Sequence, residues 1–464
     1  MASIDRDHAV IEIETEIRQT DDSRNRVSVM SEVLDPRGKV VMAADSSHFI
    51  TPGKTTTARQ ILPELLLPEL WHPDHPNLYT LRTTLHLGKR NVLDVVHTRF
   101  GLRWFEWTRD RGFFLNGKHV YLRGANAHQD HSGWGIGITQ AAIRRDVRLV
   151  KEAGMNFVRG AHYPHHPVFA RACDEIGLLC WSENCFWGKG GFGPEGYWNA
   201  SAFPIHEEDQ DDFGAHCRQT LVEMIRANRN SPSVICWSMM NEAFFTYHVE
   251  QARELVSELV DLSHATDPTR PAASGGCQRG GFDQIGDIAG YNGDGARLFL
   301  DPGRPNMVSE YGAISKPPDA FEPFFGDLQA EQFPWRSGQA IWCMFDYGTI
   351  AGRQGLKGIV DHARVPKRTW HWYRQAYLNI APPDAPVDGT PTQLRIEADQ
   401  TTIIGTDALD DVQLIITLHD DAGRRGRADV PITLTIESGP GELPTGRSIT
   451  FDNRTDIKHY EGAA

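Results

Sequence analysis

Two glutamates draw attention because each closes an apolar run: Glu242 in "SVICWSMMNEAFF", residues 233–245, and Glu310 in "NMVSEYGA", residues 306–313. A carboxylate placed where a buried strand opens into a loop can serve as acid, base or nucleophile. Two of them ~5–5.5 Å apart suit retaining glycoside cleavage, in which one protonates the leaving oxygen and the other attacks the anomeric carbon. Either glutamate alone reads equally well as a solvated or ion-paired surface group, because charged side chains are mostly exposed. The pair, each member following a buried-type run in aromatic surroundings, favours chemistry.

Such a pair needs a scaffold that brings distant strand ends together. From about Lys118 to Tyr377 short β-like runs alternate with helical ones. The helix "QAAIRRDVRLVKEAG" has Thr139 as its expected N-cap, one apolar face in Ile143, Val147 and Val150, and Gly154 as its stop. About eight strands in roughly 260 residues is the size of a (β/α)8 barrel, whose active face lies at the C-terminal strand ends. Asn241 and Glu242 then end the fourth strand, Glu310 the seventh, and Trp342 the eighth. Upstream, alternation in "HAVIEIETEIRQ" and "LYTLRTTLHLG" predicts a small β-sandwich. Downstream, "IAPPDAPVDGTPTQ" is a proline-rich linker, and later alternation predicts part of a second sandwich. The fold class is therefore multidomain, with a sandwich at 1–108, a TIM barrel at 109–380, a linker at 381–392 and a partial C-terminal β-sandwich at 393–464.

Composition narrows the partners. The chain has 464 residues, 40% hydrophobic and 23% charged, with a net charge of -14, which argues against nucleic acid and anionic membranes. No apolar run reaches the ~20 residues that span a bilayer. No signal peptide is visible, so a cytoplasmic location is expected of the chain as it stands. Seven cysteines without a CxxC pair read as reduced thiols. The loop "GKGGFG" lacks the order of a phosphate-binding loop.

Five stretches in order, "RGANAHQDHSGWG", "NFVRGAHYPHHP", "NRNSPSVICWSMMNEA", "SEYGA" and "GQAIWCMFDYG", resemble the barrel motifs of glycoside hydrolase family 2. The family includes β-galactosidases, β-glucuronidases and β-mannosidases, and the resemblance implies that the sandwich at 1–108 is its immunoglobulin-like domain. The resemblance implies Glu242 as acid/base, Glu310 as nucleophile and Asn241 as a partner of the sugar 2-hydroxyl. It implies Arg159 as the cation that orients the nucleophile, and Tyr291 as a second donor to the same carboxylate; a strand-end aromatic packing the rim is the rival reading of Tyr291. His128 and His162 resemble sugar-contacting histidines. Packing, or a metal cluster with His131, His165 and His166, are the alternatives, and Pro164 and Pro167 disfavour a helical ligand pair. Glu183 resembles a supporting position. Trp342 is expected to stack on a sugar ring, and Phe186, Trp187 and Trp198 to form a lid or aglycone wall.

Some relatives hold magnesium through a Glu-x-His after the third strand; "SENCFWGKGG" has no such histidine, so no metal and no cofactor are expected. Family members usually open with a jelly roll that borders the site. Its absence here suggests a more open site, a second chain filling the gap, or a piece of a longer protein. In β-glucuronidases an Asn-x-Lys motif binds the sugar carboxylate; here "RQGLKG" has Gly355 in place of asparagine and retains Lys357. The resulting expectation is a retaining exo-β-glycosidase, β-galactosidase-like ahead of β-glucuronidase, β-mannosidase or α-L-arabinopyranosidase. A non-catalytic carbohydrate-binding fragment and an endo-acting glycanase are the alternatives. The partner is a carbohydrate, with self-association left open.

Overall fold

The computed structural model describes residues 4–451 apart from 21–24, 89–90, 189, 313–319, 322–332, 349–354, 405–408, 428–429 and 444–445. Residues Glu12–Arg18 pair antiparallel with Thr55–Ile61, and four further strands form the facing sheet. Alternation places Ile13, Ile17, Val27, Val29 and Val33 between the two layers, the arrangement of a sandwich. Polar contacts pin this sandwich to the barrel segment: Trp71 donates through its indole to the Asp174 carbonyl at 2.9 Å, and Arg103 donates to the carbonyls of Pro232 and Val234.

Eight parallel strands close that barrel: Leu122–Ala127, Phe157–Gly160, Leu179–Glu183, Val234–Asn241, Ala272–Gly275, Ile288–Asn292, Asn306–Gly312 and Arg336–Trp342. We number them barrel strands one to eight. Every strand gives at least one side chain to the interior, among them Leu122, Phe157, Leu179, Ile235, Ala273, Ile288, Met307 and Ala340. Trp71, Phe113 and Leu115 join the same cluster. Residues of opposite parity, such as Val158, Ala289 and Val308, face the surrounding helices instead. This two-layer packing comes from the period-2 alternation of strands.

The helix Gln140–Glu152 starts where expected, with Thr139 accepting the Ala142 N–H at 3.0 Å, and buries Ile143, Val147 and Val150. Gly154 lies past its end at φ +83°, a conformation that favours glycine. Helices Val168–Ile176, Gln210–Asn228 and Val249–Thr266 come after strands two, three and four, and Arg368–Leu378 comes after strand eight. After strand five there is a single 3-10 turn at Phe282–Gln284, and after strand six a short helix at Gly295–Leu298, so these two connections are irregular. Beyond the linker, strands Gln393–Ala398 and Leu414–His419 pair, as do Ile432–Thr435 and Ser448–Phe451, around Ile416, Leu418, Ile432 and Phe451. Arg145 of the first barrel helix bonds Asp399 at 2.8 Å and Asp411 at 2.6 Å, joining this partial sandwich to the barrel. No described helix is long and apolar enough to cross a membrane.

Candidate active site

The C-terminal ends of the barrel strands carry a polar layer above the apolar interior. Its centre is Arg159, at the end of strand two and fully buried. One terminal nitrogen donates to Glu310 at 2.7 Å and to Asn126 Oδ1 at 3.0 Å. The other donates to Asn241 Oδ1 at 2.9 Å and to Glu183 at 3.0 Å, while Nε donates to Glu183 at 2.9 Å. All five donors of the guanidinium are thus used, which is what holds a buried cation in place. Gly275, ending strand five, leaves the room for it, since a Cβ there would stand 2.4 Å from the guanidinium.

Glu183 ends strand three and accepts in addition from Trp181, Ser238 and the ring of His162. Burial alone would raise its carboxyl; Arg159 and His162 outweigh that and hold it at about 2. It is therefore a fixed anion, spent on Arg159.

Glu242 is treated differently. Strand four ends at Asn241, and Glu242 turns into the left-handed region at φ +48°, its N–H donating to the Gly275 carbonyl. A non-glycine residue there costs of order 1–3 kcal/mol, so the surroundings must hold it. Burial raises its carboxyl above the ordinary range, and the Glu310 charge raises it further. Its side-chain hydrogen bond comes from Asn292 at 3.1 Å. One glutamate of the pair is therefore biased toward the acid form, and the other is ion-paired to Arg159.

Most of the sequence-predicted residues gather here. Glu242, Glu310, Asn241, Arg159, Glu183 and His162 come together: His162 Nδ1 lies 2.8 Å from Glu183 and its Nε2 3.7 Å from Glu310. His128 and Trp342 form a wall beside them. The Trp342 ring stacks on His162 at 4.9 Å, so one of its faces is already covered. His128 lies edge-on to both, and its buried Nε2 has no partner among the described residues. Burial pushes the His128 imidazole well below its usual range.

Two expectations need correction. Tyr291 does not donate to Glu310. Its ring points outward from strand six, stacks on Phe299 at 4.6 Å, and its hydroxyl has no partner among the described residues. The inward residue is the next one, Asn292. Phe186 is no lid, being 2% exposed and packed between Phe203 and Phe213. Trp187 and Trp198 are exposed, at 47% and 58%, and no ring contact or hydrogen bond joins either to the cluster among the described residues. His165 and His166 spend ring nitrogens on main-chain atoms, and His131 lies against the Ser132 carbonyl. In "RQGLKG", Arg353 and Gln354 lie outside the described residues, as does the terminal "DIKHYEGAA".

The chemistry-based reading missed Asn126, Asn292, Ser309 and Tyr347. Asn126 Nδ2 donates to the Ser309 carbonyl at 2.9 Å, and the Ser309 hydroxyl donates to Asn292 at 2.7 Å. Tyr347 closes the aromatic wall at 4.8 Å from His128. Uncharged amides at strand ends carry little signal; inward parity is the one clue that would have selected Asn126 and Asn292.

Known proteins share this architecture. Residues 107–288 match the family model "Glycosyl hydrolases family 2, TIM barrel domain", and residues 2–103 match "Glycosyl hydrolases family 2". A putative beta-glucuronidase of Formosa agariphila is 37% identical over 257 residues, 54% of this chain and 28% of that protein. A beta-glucuronidase of Bacteroides fragilis is 28% identical over 472 residues, 86% of this chain and 66% of that one. A beta-galactosidase of Thermoanaerobacter pseudethanolicus is 28% identical over 391 residues, 79% of this chain and 48% of that one. In fold, the chain resembles the crystal structure of a Bacteroides uniformis beta-glucuronidase, with a TM-score of 0.72 and 23% identity, covering 97% of this chain and 57% of that one. The chain thus spans less than two thirds of the length of each of these relatives.

Proposed function

The chain belongs to glycoside hydrolase family 2, and we propose that it is a retaining exo-β-glycosidase acting by double displacement. The observation that carries the reading is the opposite treatment of two carboxylates at one barrel mouth. Glu242 is pushed toward its protonated form by burial and by Glu310, while Glu310 is bound to Arg159 at 2.7 Å.

In the first step the Glu310 carboxylate attacks the anomeric carbon as Glu242 gives its proton to the departing oxygen. In the second, Glu242 takes a proton from water, which displaces Glu310 from the sugar. Asn241 has its carbonyl oxygen occupied by Arg159 and Asn292, which leaves its amide hydrogens for the 2-hydroxyl. His128 and His162 offer ring nitrogens to other hydroxyls, and Trp342 with Tyr347 bounds the sugar.

For the sugar, a β-galactoside is the first reading, because a side chain at Gly355 would meet the Tyr347 ring at 2.3 Å and no asparagine stands there. A β-glucuronide is the second, favoured by Lys357. That residue is half-buried, its carbonyl accepts from Cys343 next to Trp342, and its ammonium has no ion-pair partner among the described residues.

A panel of nitrophenyl β-galactoside, glucuronide, mannoside and glucoside with α-arabinopyranoside separates these readings. Glu310→Gln is expected to abolish turnover of whichever substrate is cleaved while the protein stays folded. Glu242→Ala is expected to spare substrates with good leaving groups and to regain rate with azide. Unchanged turnover in Glu310→Gln would reject the mechanism.

A further inference from the structure

Asn292 makes the one side-chain hydrogen bond that Glu242 receives among the described residues. Its two amide hydrogens are both spent, on Glu242 Oε1 and on Asn241 Oδ1, each at 3.1 Å. Its carbonyl oxygen accepts from the Ser309 hydroxyl at 2.7 Å. This fixes which way the amide faces: Asn241 Oδ1 already accepts from Arg159, so a flipped amide would set oxygen against oxygen. Gly276, at φ +54°, completes the clamp. A Cβ there would lie 2.4 Å from Glu242 Cγ and 2.7 Å from Asn292 Nδ2, so glycine is what lets the two side chains meet.

We infer that Asn292 is a positioning residue that dictates which oxygen of Glu242 carries the transferable proton. An oxygen that accepts the Asn292 N–H is the poorer site for a proton, so the acid proton resides on Oε2. As the bond from the anomeric carbon to the leaving oxygen breaks, its electron pair goes to that oxygen, which takes the Oε2 proton. The Glu310 carboxylate supplies the pair for the new bond to carbon. This inference rests on the glycosidase reading proposed for the site.

The same bond sets the acid's strength. Burial and the Glu310 charge raise the Glu242 carboxyl, while Asn292, His162 and Arg159, the other groups that act on it, lower it. Removing the amide therefore favours the protonated form, and the loss of proton donation with rising pH shifts to higher pH.

The test compares methyl and 2,4-dinitrophenyl β-glycosides of the sugar that the panel identifies, across pH, in wild type, Asn292→Ala and Asn292→Asp. In Asn292→Ala the alkaline limb of kcat/KM is expected at higher pH. Activity on the methyl glycoside should fall roughly tenfold or more relative to the dinitrophenyl one, whose departure needs no proton. Asn292→Asp keeps the shape and the Ser309 bond but sets a second carboxylate against Glu242, so its limb should move further, which covers a poorly folded alanine variant. An unmoved limb, with equal losses on both substrates, would overturn the inference. If wild type cleaves no glycoside, 13C-carboxyl NMR titration of Glu242, assigned with Glu242→Gln, still decides. A higher midpoint in Asn292→Asp supports the inference and an unchanged midpoint rejects it.

Discussion

A buried arginine with five donors and several carboxylate oxygens around it is the unit on which this site is built. Arg159 binds Glu183 and Glu310 together, yet the two anions are not equivalent: Glu183 is fully buried, whereas the Glu310 side chain keeps 13% of its surface open. The open one is the nucleophile of the proposed mechanism, and the enclosed one supplies compensating charge to Arg159. That division has a consequence for stability. The Glu183 carboxyl is held at about 2 against an ordinary 4.5, so folding gains from its ionisation above pH 4.5 and loses that gain as pH falls toward 2. The melting temperature of wild type is expected to drop more steeply across that window than that of Glu183→Gln. Parallel curves for the two would contradict the assignment of Glu183 as the fixed anion. At this scale Glu242 and Glu310 were legible in the sequence because a carboxylate ending an apolar run is conspicuous, and Arg159 only through the resemblance of "VRGAHY" to a family motif. Asn292 and Asn126 were not, because an amide ending a strand looks the same whether it is inward or outward.

Among the elements, strand six shows how one step of parity decides a site. Ile288 faces the barrel interior, while Ala289 and Tyr291 face the helices. The register against strand seven shifts between Tyr291 and Asn292. The aromatic residue, the more eye-catching of the two, therefore lies behind the strand and the amide lies in front. Alternation alone predicts this, but only once the strand's face is fixed by its neighbours, which is a tertiary fact. The turn after strand five is equally demanding. Gly276→Ala would press a methyl group against Glu242 and Asn292 and strain a left-handed backbone. It is expected to lower activity by about two orders of magnitude, on the scale of a misplaced general acid, with the barrel's circular dichroism retained. Near-wild-type rates would show that Glu242 can be aimed without this contact.

Across the whole molecule, closure of the barrel is what makes the two glutamates neighbours. They come from strands four and seven of an eight-strand ring, 68 residues apart in sequence (310 − 242). The order sandwich, barrel, partial sandwich was readable because strand alternation, helix caps and the proline-rich linker agree with one another. Where the loop aromatics end up was not, since Phe186 is buried by Phe203 and Phe213, partners on the far side of the loop. If the two glutamates divide the work as proposed, Glu310 becomes covalently bound to the sugar. Incubation with a 2,4-dinitrophenyl 2-deoxy-2-fluoro-β-glycoside of the accepted sugar, then intact and peptide mass spectrometry, tests this at the reacting atom. One fluoroglycosyl unit on the peptide bearing Glu310 is the expected result; turnover without any adduct, or a label on another residue, would contradict it.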